Sequence, residues 1–519
     1  MEAMNRRVQM RILLAICCVS VFALVIPANA KTYYVSVAGS DTAAGTIDQP
    51  FLTIPKAYSV AVAGDTILIR GGIYSLSATI NISRSGTSTA RYSLLAYPGE
   101  RPLLDFSSMA FSSTNRGIKL SASYWYIKGF DIKGAGDNGM NVSGSNNIIE
   151  FCSFFENRDT GLQFSGGASN NQIINCDSYY NYDPPLGGNA DGFAPKLDVG
   201  TGNYFYGCRS WQNSDDGWDG YLKPSDNVKT TLENCWSFMN GHLKDGSVIT
   251  SGNGNGFKMG GGDNGNADSL RHNMILKNCL SFDNRVKGFD QNNNRGSMTL
   301  LNCTAYRNGT YNFSIPVKRR VDDTVTLVNC VSLGPGGVTL LDPTVLATNS
   351  WMSLFNISAA DFASLDTTGV RGARKSDGSL PDISFMHLAS GSQLIDAGTN
   401  LGLTFLGSGP DLGAFEFDPS TSVMNPSVSS PHAYLVLDNY PNPFNPSTTL
   451  EFSVPKDGQA TLKIFNVLGQ NVALLFSGRV HARQAYKTRF EAAHFPSGIY
   501  FARLESGEVT LIRKLVLAK

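Results

Sequence analysis

Short stretches of alternating hydrophobic and polar residues recur along most of the chain. Segments such as NQIINCDSY, TTLENCWSF and MTLLNCTAY alternate with a period of two residues, which is the periodicity of a half-buried β-strand. They carry no long stripe with the 3.6-residue period of an amphipathic helix. Gly and Asn are frequent between these segments, so the pattern predicts many short strands separated by tight turns.

Seven cysteines mark a repeat, because each opens nearly the same phrase, as in NCDSYYN, NCWSFMN and NCLSFDN. Asn follows five residues after the cysteine in six of the seven copies, and successive cysteines are 24 to 44 residues apart. Repeats of this length are typical of solenoids. An odd number of thiols at one repeat position favours a buried column of small side chains over disulfides. The cysteines are Cys152, Cys176, Cys208, Cys235, Cys279, Cys303 and Cys330.

We therefore predict an all-β protein, a right-handed parallel β-helix solenoid followed by a small C-terminal β-sandwich domain. The recurring Asn residues would form side-chain amide ladders at one turn, and each coil would add about 4.8 Å of height. The solenoid is predicted over residues 31–417. Within it, residues 342–417 lose the repeat and are expected to pack along the solenoid or cap its C-terminal end, because open strand edges need cover. Residues 50–62 have helical spacing and are predicted to cap the N-terminal end.

A Gly-aromatic pair follows nine residues after the cysteine in the regular coils and sets their register. In two coils the pair arrives seven and twelve residues late, so the loops NYDPPLGG and GHLKDGSVITSGNG are predicted to protrude at one corner. Long loops on one face of a solenoid usually carry the binding site. In this register Asp191, Asp216 and Asn255 share one repeat position, and Asp219 and Lys258 share another.

Four aspartates would then converge on one small volume: Asp191, Asp215, Asp216 and Asp219. Like charges this close are costly unless a cation neutralises them. Calcium accepts several carboxylate oxygens in a flexible geometry, whereas zinc favours the His or Cys that this corner lacks. A turn between strands explains each Asp-Gly pair alone, but four acids in adjacent coils beside two long loops favour a calcium site.

Lys258 lies one coil beyond the aspartates, with glycines on both sides, and about one strand spacing from Asp219. A lone lysine on a surface strand is usually a solvated charge. A nearby divalent cation, however, lowers the pKa of an ammonium group and makes the neutral amine available as a base. A cation that binds an acidic sugar, together with such a base, indicates β-elimination, in which Lys258 takes the proton next to the carboxylate.

Two other functions fit part of this pattern. A β-helical polygalacturonase-type hydrolase would use paired carboxylates such as Asp215 and Asp216, but the Gly-His-Gly signature of those enzymes does not occur in the chain, and Lys258 would have no role. A non-catalytic β-helix adhesin would bind calcium only for its structure. Three further lysines are candidates to meet substrate carboxylates, although a solvated charge is the ordinary explanation for each: Lys196, Lys223 and Lys287.

The motifs NADGFAPK, NSDDGWD and NGNGFKMGG, in this order among the NC phrases, resemble the pectate lyases of polysaccharide lyase family 9. The resemblance covers about residues 31–415 and implies a parallel β-helix enzyme that uses calcium and a lysine base. It implies polygalacturonate or pectin, an acidic plant polysaccharide, as the substrate, and it leaves other uronate polymers such as rhamnogalacturonan open. Its implied calcium ligands are Asp191, Asp215, Asp216 and Asp219, and its implied base is Lys258.

The two ends of the chain indicate export. Residues 1–30 are typical of a signal peptide, with arginines before an apolar run and the cleavage site Ala28-Asn29-Ala30; the alternative, a membrane anchor, is disfavoured because the run is short for a bilayer span. Residues 418–432, rich in Ser and Pro, are predicted to be a linker. In residues 433–519 the words PNPFNPST, LGQ and GIYF resemble the C-terminal sorting domain of the type IX secretion system. A carbohydrate-binding module is the alternative for this region.

That resemblance implies the secretion machinery as a partner and a secreted, extracellular enzyme that is either released or attached to the cell surface. Lys plus Arg and Asp plus Glu number 42 each. The balance gives no global field that would indicate nucleic acid or an anionic membrane as a partner. We expect a monomer.

Overall fold

The computed structural model describes residues 30–262, 270–317, 319–418, 436–440, 444–454, 456–466, 470–482, 484, 486–507 and 509–518. The chain divides into two compact units, residues 1–422 and 423–519. Nearly all of the predicted signal peptide and of the predicted linker lies outside the described residues. In the part of the chain that the structure describes, no helix has the length and apolar character needed to cross a membrane.

Three parallel sheets wind into a β-helix, as the alternating segments predict. Each regular coil contributes one strand to every sheet in turn, and each strand pairs with its equivalents in the neighbouring coils. The twelve strands of sheet 1 are Thr32–Val35, Thr66–Ile69, Tyr92–Ala96, Trp125–Lys128, Ile148–Glu150, Gln172–Ile174, Asn203–Tyr206, Val228–Glu233, His272–Lys277, Met298–Leu301, Val325–Val328 and Val345–Ala347. The ten strands of sheet 2 are Ile73–Ser75, Leu103–Asp105, Asp131–Lys133, Ser153–Phe155, Asp177–Tyr179, Arg209–Trp211, Trp236–Phe238, Leu280–Phe282, Thr304–Tyr306 and Val331–Leu333. The ten strands of sheet 3 are Ile80–Ile82, Ile118–Leu120, Met140–Val142, Leu162–Phe164, Phe193–Ala194, Trp218–Asp219, Phe257–Lys258, Lys287–Asp290, Tyr311–Ile315 and Gly337–Leu340.

The Asn-Cys phrase forms the corner between sheet 1 and sheet 2. The residue before each cysteine has a left-handed backbone, as in Asn175 with φ 52° and Asn278 with φ 50°. Asn adopts this conformation more easily than most residues do, which explains its recurrence there. The cysteine that follows is buried in every copy, and all seven thiols are free, so the predicted thiol column is confirmed.

The Asn residues five positions after the cysteines form the predicted amide ladder. The side-chain amide of Asn181 donates to the Oδ1 atom of Asn213 over 2.8 Å, and the contact repeats from Asn213 to Asn240 at 3.0 Å and from Asn240 to Asn284 at 2.9 Å. All these amides are buried, where an unpaired polar group would be costly. The ladder therefore fixes the turn from sheet 2 into sheet 3, which carries the acidic motifs.

Aromatic rings of sheet 3 stack inside the β-helix and confirm the register taken from the Gly-aromatic pairs. Phe193, Trp218, Phe257 and Phe289 are Cα partners in successive coils. Their ring centroids are 4.8, 4.9 and 5.1 Å apart. Offset stacks of this kind add stability beyond the area they bury, so this column holds the coils around the acidic motifs in a single register.

The two ends of the β-helix differ from its regular coils. The helix Ile54–Val60 lies within the segment predicted to cap the N-terminal end. The repeat does not stop at residue 342, because the strand Val345–Ala347 still pairs with the strand Val325–Val328. The segment beyond it contains one short 3-10 helix, Ala359–Asp361, and packs along sheet 2, where the ring of Phe385 lies 4.6 Å from that of Phe282.

The C-terminal unit contains two small antiparallel sheets, which agrees with the predicted β-sandwich. One buried core is shared by residues of both sheets, Phe452 and Phe490 in the first and Leu462 and Leu504 in the second. The strands of the first sheet are Val436–Tyr440, Ser447–Ser453 and Tyr486–Glu491. The strands of the second, in spatial order, are Asn471–Val480, Gly458–Asn466, Gly498–Ser506 and Val509–Leu517.

Candidate active site and cation site

Three buried aspartates meet where sheet 2 turns into sheet 3, two of them in the turn and Asp219 at the end of the strand Trp218–Asp219. Asp191, Asp216 and Asp219 each place a carboxylate oxygen within 4.8 Å of the other two, and none is more than 4% exposed. The first two come directly before Gly192 and Gly217, where a Cβ atom would approach a serine hydroxyl of sheet 2 to 2.0 Å. Glycine is therefore required for the close packing of this turn, which brings the acids of successive coils together.

Backbone N–H groups of neighbouring residues hold the carboxylates of this triad in place. The N–H group of Asp216 donates to Asp191 Oδ1 over 3.1 Å, and that of Asn255 donates to Asp216 Oδ1 over 2.7 Å. The N–H group of Tyr221 donates to Asp219 Oδ1 over 2.9 Å. The repeat thus positions each acid against main-chain donors, and the triad is fixed by the β-helix itself.

Asp215, the fourth predicted ligand, lies beside the triad. Its carboxylate accepts a hydrogen bond from the N–H group of Asn253, and its side chain lines a groove that opens over the cluster. The structure therefore brings Asp191, Asp216 and Asp219 into one group and places Asp215 at its edge.

Two buried ammonium groups lie among these acids. Lys258 Nζ is 3.2 Å from Asp216 Oδ2 and 3.3 Å from Asp219 Oδ1. Lys196 Nζ is 2.6 Å from Asp191 Oδ2 and 3.4 Å from Asp219 Oδ2. The predicted pairing of Lys258 with Asp219 is confirmed, since the two are Cα partners. The expectation of a solvated charge at Lys196 is wrong, because its side chain is only 11% exposed.

Burial and crowding shift the pKa values of the cluster. Burial raises the pKa of Asp191 to about 8 against the effect of Lys196, and burial together with Asp216 raises the pKa of Asp215 to about 9. Despite its burial, Asp219 has a pKa below its usual value, because both lysines contact it. The acids raise the pKa of Lys258 well above its usual value although burial opposes them, so the metal-free cluster holds this amine protonated.

The donor set of the cluster suits a hard divalent cation. The side-chain oxygen of Asn255 is buried without a hydrogen bond in the described part of the chain, and Asp216 Oδ2 is buried with the Lys258 ammonium group 3.2 Å away. Carboxylate and amide oxygens are the ligands that calcium prefers. The triad offers oxygen atoms only, whereas zinc favours imidazole and thiolate ligands.

A groove of about 500 Å³ opens over the cluster. The two predicted loops meet beside it, where the hydroxyl group of Ser251 donates to the carbonyl oxygen of Leu186. Arg158 and Tyr221 line the groove together with Lys258, whose Nζ lies 5.9 Å from the Tyr221 ring centroid. The groove therefore presents cationic and acidic side chains together beside an aromatic ring.

Comparisons with known proteins agree with this fold. Residues 33–323 match the protein family described as "Pel9A-like, right handed beta helix region". Pectate lyase L from Dickeya chrysanthemi is 38% identical over 399 residues, which cover 74% of this chain and 90% of that protein. Pectate lyase L from Paenibacillus polymyxa is 40% identical over 366 residues, which cover 67% of this chain and 80% of that protein.

Two solved structures are similar at the level of both fold and sequence. The crystal structure of pectate lyase Pel9A has a TM-score of 0.70 and 37% identity, and the match covers 75% of this chain and 97% of that chain. A rhamnogalacturonan lyase has a TM-score of 0.63 and 29% identity, with coverage of 70% and 98%.

The C-terminal unit has its own match. Residues 438–518 match a secretion system C-terminal sorting domain. A sorting domain of this kind marks a secreted protein, often one attached to the cell surface, so the predicted export is confirmed.

Proposed function

The chain belongs to the Pel9A-like β-helix pectate lyase family, and we propose that it is a calcium-dependent pectate lyase that cleaves α-1,4-galacturonan by β-elimination. The observation that carries the proposal is the buried triad of Asp191, Asp216 and Asp219, with the Lys258 amine 3.2 and 3.3 Å from two of its carboxylates. The pectate lyases at 38% and 40% identity support polygalacturonate, or pectin, as the substrate.

Four aspartates would hold the calcium ion in this proposal: Asp191, Asp215, Asp216 and Asp219. When bound, calcium would supply positive charge that neutralises these acids and a uronate carboxylate, and that offsets the negative charge developing beside that carboxylate. The side-chain oxygen of Asn255 supports this assignment, since it is buried without a hydrogen bond in the described part of the chain, which is costly unless a cation binds it.

Lys258 is the proposed base. Its Nζ atom is held between Asp216 and Asp219, and its side chain is 8% exposed, so the amine is oriented and largely shielded from water. The neutral amine would take the C5 proton of the uronate in the groove. The electron pair left behind forms the C4–C5 double bond, the C4–O4 bond breaks, and O4 leaves with its electron pair and takes a proton from water.

The protonation state of Lys258 sets a condition on this step. In the metal-free cluster the neighbouring acids raise its pKa well above the usual value, and a protonated amine cannot act as a base. Activity therefore requires that the charges of the acids be compensated, and it should increase from neutral to alkaline pH as the neutral amine becomes more populated. An activity profile that is flat down to pH 5 would contradict the assignment.

A second substrate is supported by one specific observation, the similarity to a rhamnogalacturonan lyase at a TM-score of 0.63. Rhamnogalacturonan also contains galacturonate, so the same triad and the same amine could act on it. A non-catalytic adhesin would use the calcium ligands without any proton transfer, so turnover that depends on Lys258 separates it from a lyase.

The first experiment measures the ultraviolet absorbance of unsaturated uronates while the exported chain acts on polygalacturonate, first with calcium and then with a chelator. Lys258→Ala should lower the rate roughly 10²–10⁴-fold and keep the native circular dichroism spectrum. Lys128→Ala is the matched control, because Lys128 pairs with Glu150 over 2.7 Å on sheet 1, away from the site.

The other outcomes separate the alternatives. New reducing ends without absorbance would indicate hydrolysis. Neither absorbance nor reducing ends from polygalacturonate, together with cleavage of rhamnogalacturonan, would mean that rhamnogalacturonan is the substrate and that the reaction is still β-elimination. Binding of both polymers without turnover would indicate an adhesin.

We also propose an order of domains that serves export. Residues 1–30 would be removed as a signal peptide, residues 31–417 would form a monomeric lyase, residues 418–432 would link it to the next domain, and residues 433–519 would be recognised by the secretion machinery. The sorting-domain match supports the last assignment. The mass and N-terminal sequence of the secreted protein, and its size in solution, test the whole arrangement.

A further inference from the structure

Lys196 is a second lysine inside the acidic cluster, and the end of a strand explains its position. The strand Phe193–Ala194 stops at Pro195, which has no N–H group and cannot extend the ladder. The N–H group of Leu197 then donates to the carbonyl oxygen of Tyr221 over 2.6 Å, which ties the chain to the next coil. Lys196 is thereby held between two fixed points, with its ammonium group directed at the acids of the turn.

The two lysines divide the carboxylate oxygens of the triad between them. Lys196 contacts the Oδ2 atoms of Asp191 and Asp219, at 2.6 and 3.4 Å. Lys258 contacts Asp216 Oδ2 and the remaining oxygen of Asp219, at 3.2 and 3.3 Å. Each carboxylate of the triad therefore already has an ammonium partner.

Only Lys258 has a part in the proposed proton transfer, so the burial of Lys196 needs another explanation. Together the two ammonium groups bring two positive charges to the triad, which is the charge of one calcium ion. Buried carboxylates without a partner are strongly destabilising, and these lysines supply that partner when calcium is absent. Once a cation occupies the same oxygens, an ammonium group 2.6 Å from one of them is a repulsive like charge.

We propose that Lys196 is an internal counter-cation, which holds Asp191 and Asp219 together in the calcium-free protein and competes with calcium for their oxygen atoms. The inference rests on the calcium site of the proposed function, but it assigns Lys196 no role in the proton transfer. Lys196 is then a positioning residue that sets the calcium affinity and keeps the exported chain folded before it meets calcium.

Removal of this charge should lower the stability of the calcium-free protein and raise its affinity for calcium. Lys196→Met keeps most of the side-chain length and removes the charge. Without calcium the variant should be less stable than the wild type, because Asp191 loses its partner. Calcium should bind it more tightly, because the competing charge is gone. A lysine that only fills space would instead weaken the fold with and without calcium and would not improve calcium binding.

The experiment titrates the full exported chain with calcium chloride in a calorimeter and measures thermal unfolding with a chelator and with saturating calcium. Lys196→Met should lower the Kd for calcium by on the order of tenfold and should lower the unfolding temperature in chelator by a few degrees. The fall in unfolding temperature should be smaller in saturating calcium. Lys128→Met, which breaks an ion pair on sheet 1, should leave the Kd unchanged.

A double-mutant cycle keeps the inference testable if the single variant folds poorly. In chelator, Lys196→Met should cost less stability in an Asp191→Asn background than in the wild type, because the charge that Lys196 compensates has been removed. Lys196→Gln provides a second neutral variant. Additive losses, or a Kd that is unchanged or weaker, would overturn the inference and leave the calcium-dependent lyase standing. A wild-type protein that binds no calcium would overturn both.

Discussion

Removal of calcium should make the stability of the β-helix depend on pH in a direction that the aspartate cluster determines. In the calcium-free protein we expect the unfolding temperature to fall as the pH rises from 6.5 to 8.5. The calcium-bound protein should show a much smaller change over the same range, because the cation compensates the acids once they lose their protons.

The sign follows from two raised pKa values. Asp191 and Asp215 have pKa values of about 8 and about 9 in the calcium-free fold, chiefly because they are buried, whereas an unfolded aspartate has a pKa of about 3.9. A group whose pKa is raised by folding contributes stability at low pH and loses that contribution as the pH rises through the folded value. The loss therefore begins near the unfolded value and continues until the pH passes the folded values of about 8 and about 9, so it is in progress between pH 6.5 and 8.5.

The magnitude follows from the protons that the folded chain retains. If the fold binds one proton more than the unfolded chain across this window, the free energy of unfolding falls by about 1.4 kcal/mol per pH unit, or about 3 kcal/mol in total. Unfolding entropy near 2.1 cal/mol/K per residue gives about 0.8 kcal/mol/K for a unit of roughly 390 residues. The expected fall is then about 4 °C.

Two other buried carboxyl groups contribute in the same direction, since burial raises the pKa values of Asp137 and Glu416 to about 7. Burial lowers the pKa values of His272 and His387 to about 4, so their contribution rises with pH only up to the unfolded value near 6.5. The remaining groups outside the cluster act equally with and without calcium. The difference between the calcium and chelator curves therefore isolates the cluster.

Tryptophan fluorescence is the suitable assay, because all five tryptophans of the chain lie in the β-helix unit: Trp125, Trp211, Trp218, Trp236 and Trp351. Asp191→Asn should flatten the calcium-free curve, since an amide does not titrate. An unfolding temperature in chelator that stays constant or rises between pH 6.5 and 8.5 would refute the reasoning.

Three further predictions concern the scaffold. Asn240→Ala removes hydrogen bonds to both neighbouring rungs of the ladder and should cost about 3 kcal/mol in denaturant unfolding; a cost near zero would contradict its role. Arg374→Met removes a guanidinium group 2.6 Å from the buried carboxylate of Asp177 and should lower the free energy of unfolding by roughly 3 kcal/mol. A loss of less than about 1 kcal/mol would show that a second arginine is sufficient for this carboxylate. The seven buried thiols should react with a thiol reagent only after unfolding, and reaction in the native state would mean that the column is open.

The repeat made most of the fold predictable, because each coil repeats the same local structure. The phrase that begins with Cys sets the corner, the Asn five residues later sets the ladder, and the Gly-aromatic pair sets sheet 3. Alignment on that pair is sufficient to place Asp219 beside Lys258, and the two are Cα partners. Long-range geometry could be predicted here because a one-dimensional stack converts spacing along the chain directly into neighbours in space.

The features that the repeat could not predict are those formed by residues outside it. Lys196 lies two residues beyond the end of the strand Phe193–Ala194, so its position depends on where the chain turns after Pro195. Arg374 reaches Asp177 from a part of the chain 197 residues away, in a segment without the repeat. The proline after Ala194 was the available signal for Lys196, since it predicts that the strand ends there.

The acidic cluster also shows why this function uses a rigid scaffold. Three carboxylates within 4.8 Å of one another repel each other, and a flexible loop would let them separate. Here Asp191 and Asp216 are anchored by the backbone of the next coil and Asp219 by the backbone of its own coil. These coils are held in register by the amide ladder and by the aromatic column inside sheet 3. The rest of the β-helix thus offsets the repulsion within the cluster. Because its carboxylates cannot move apart, the cluster retains a high affinity for positive charge.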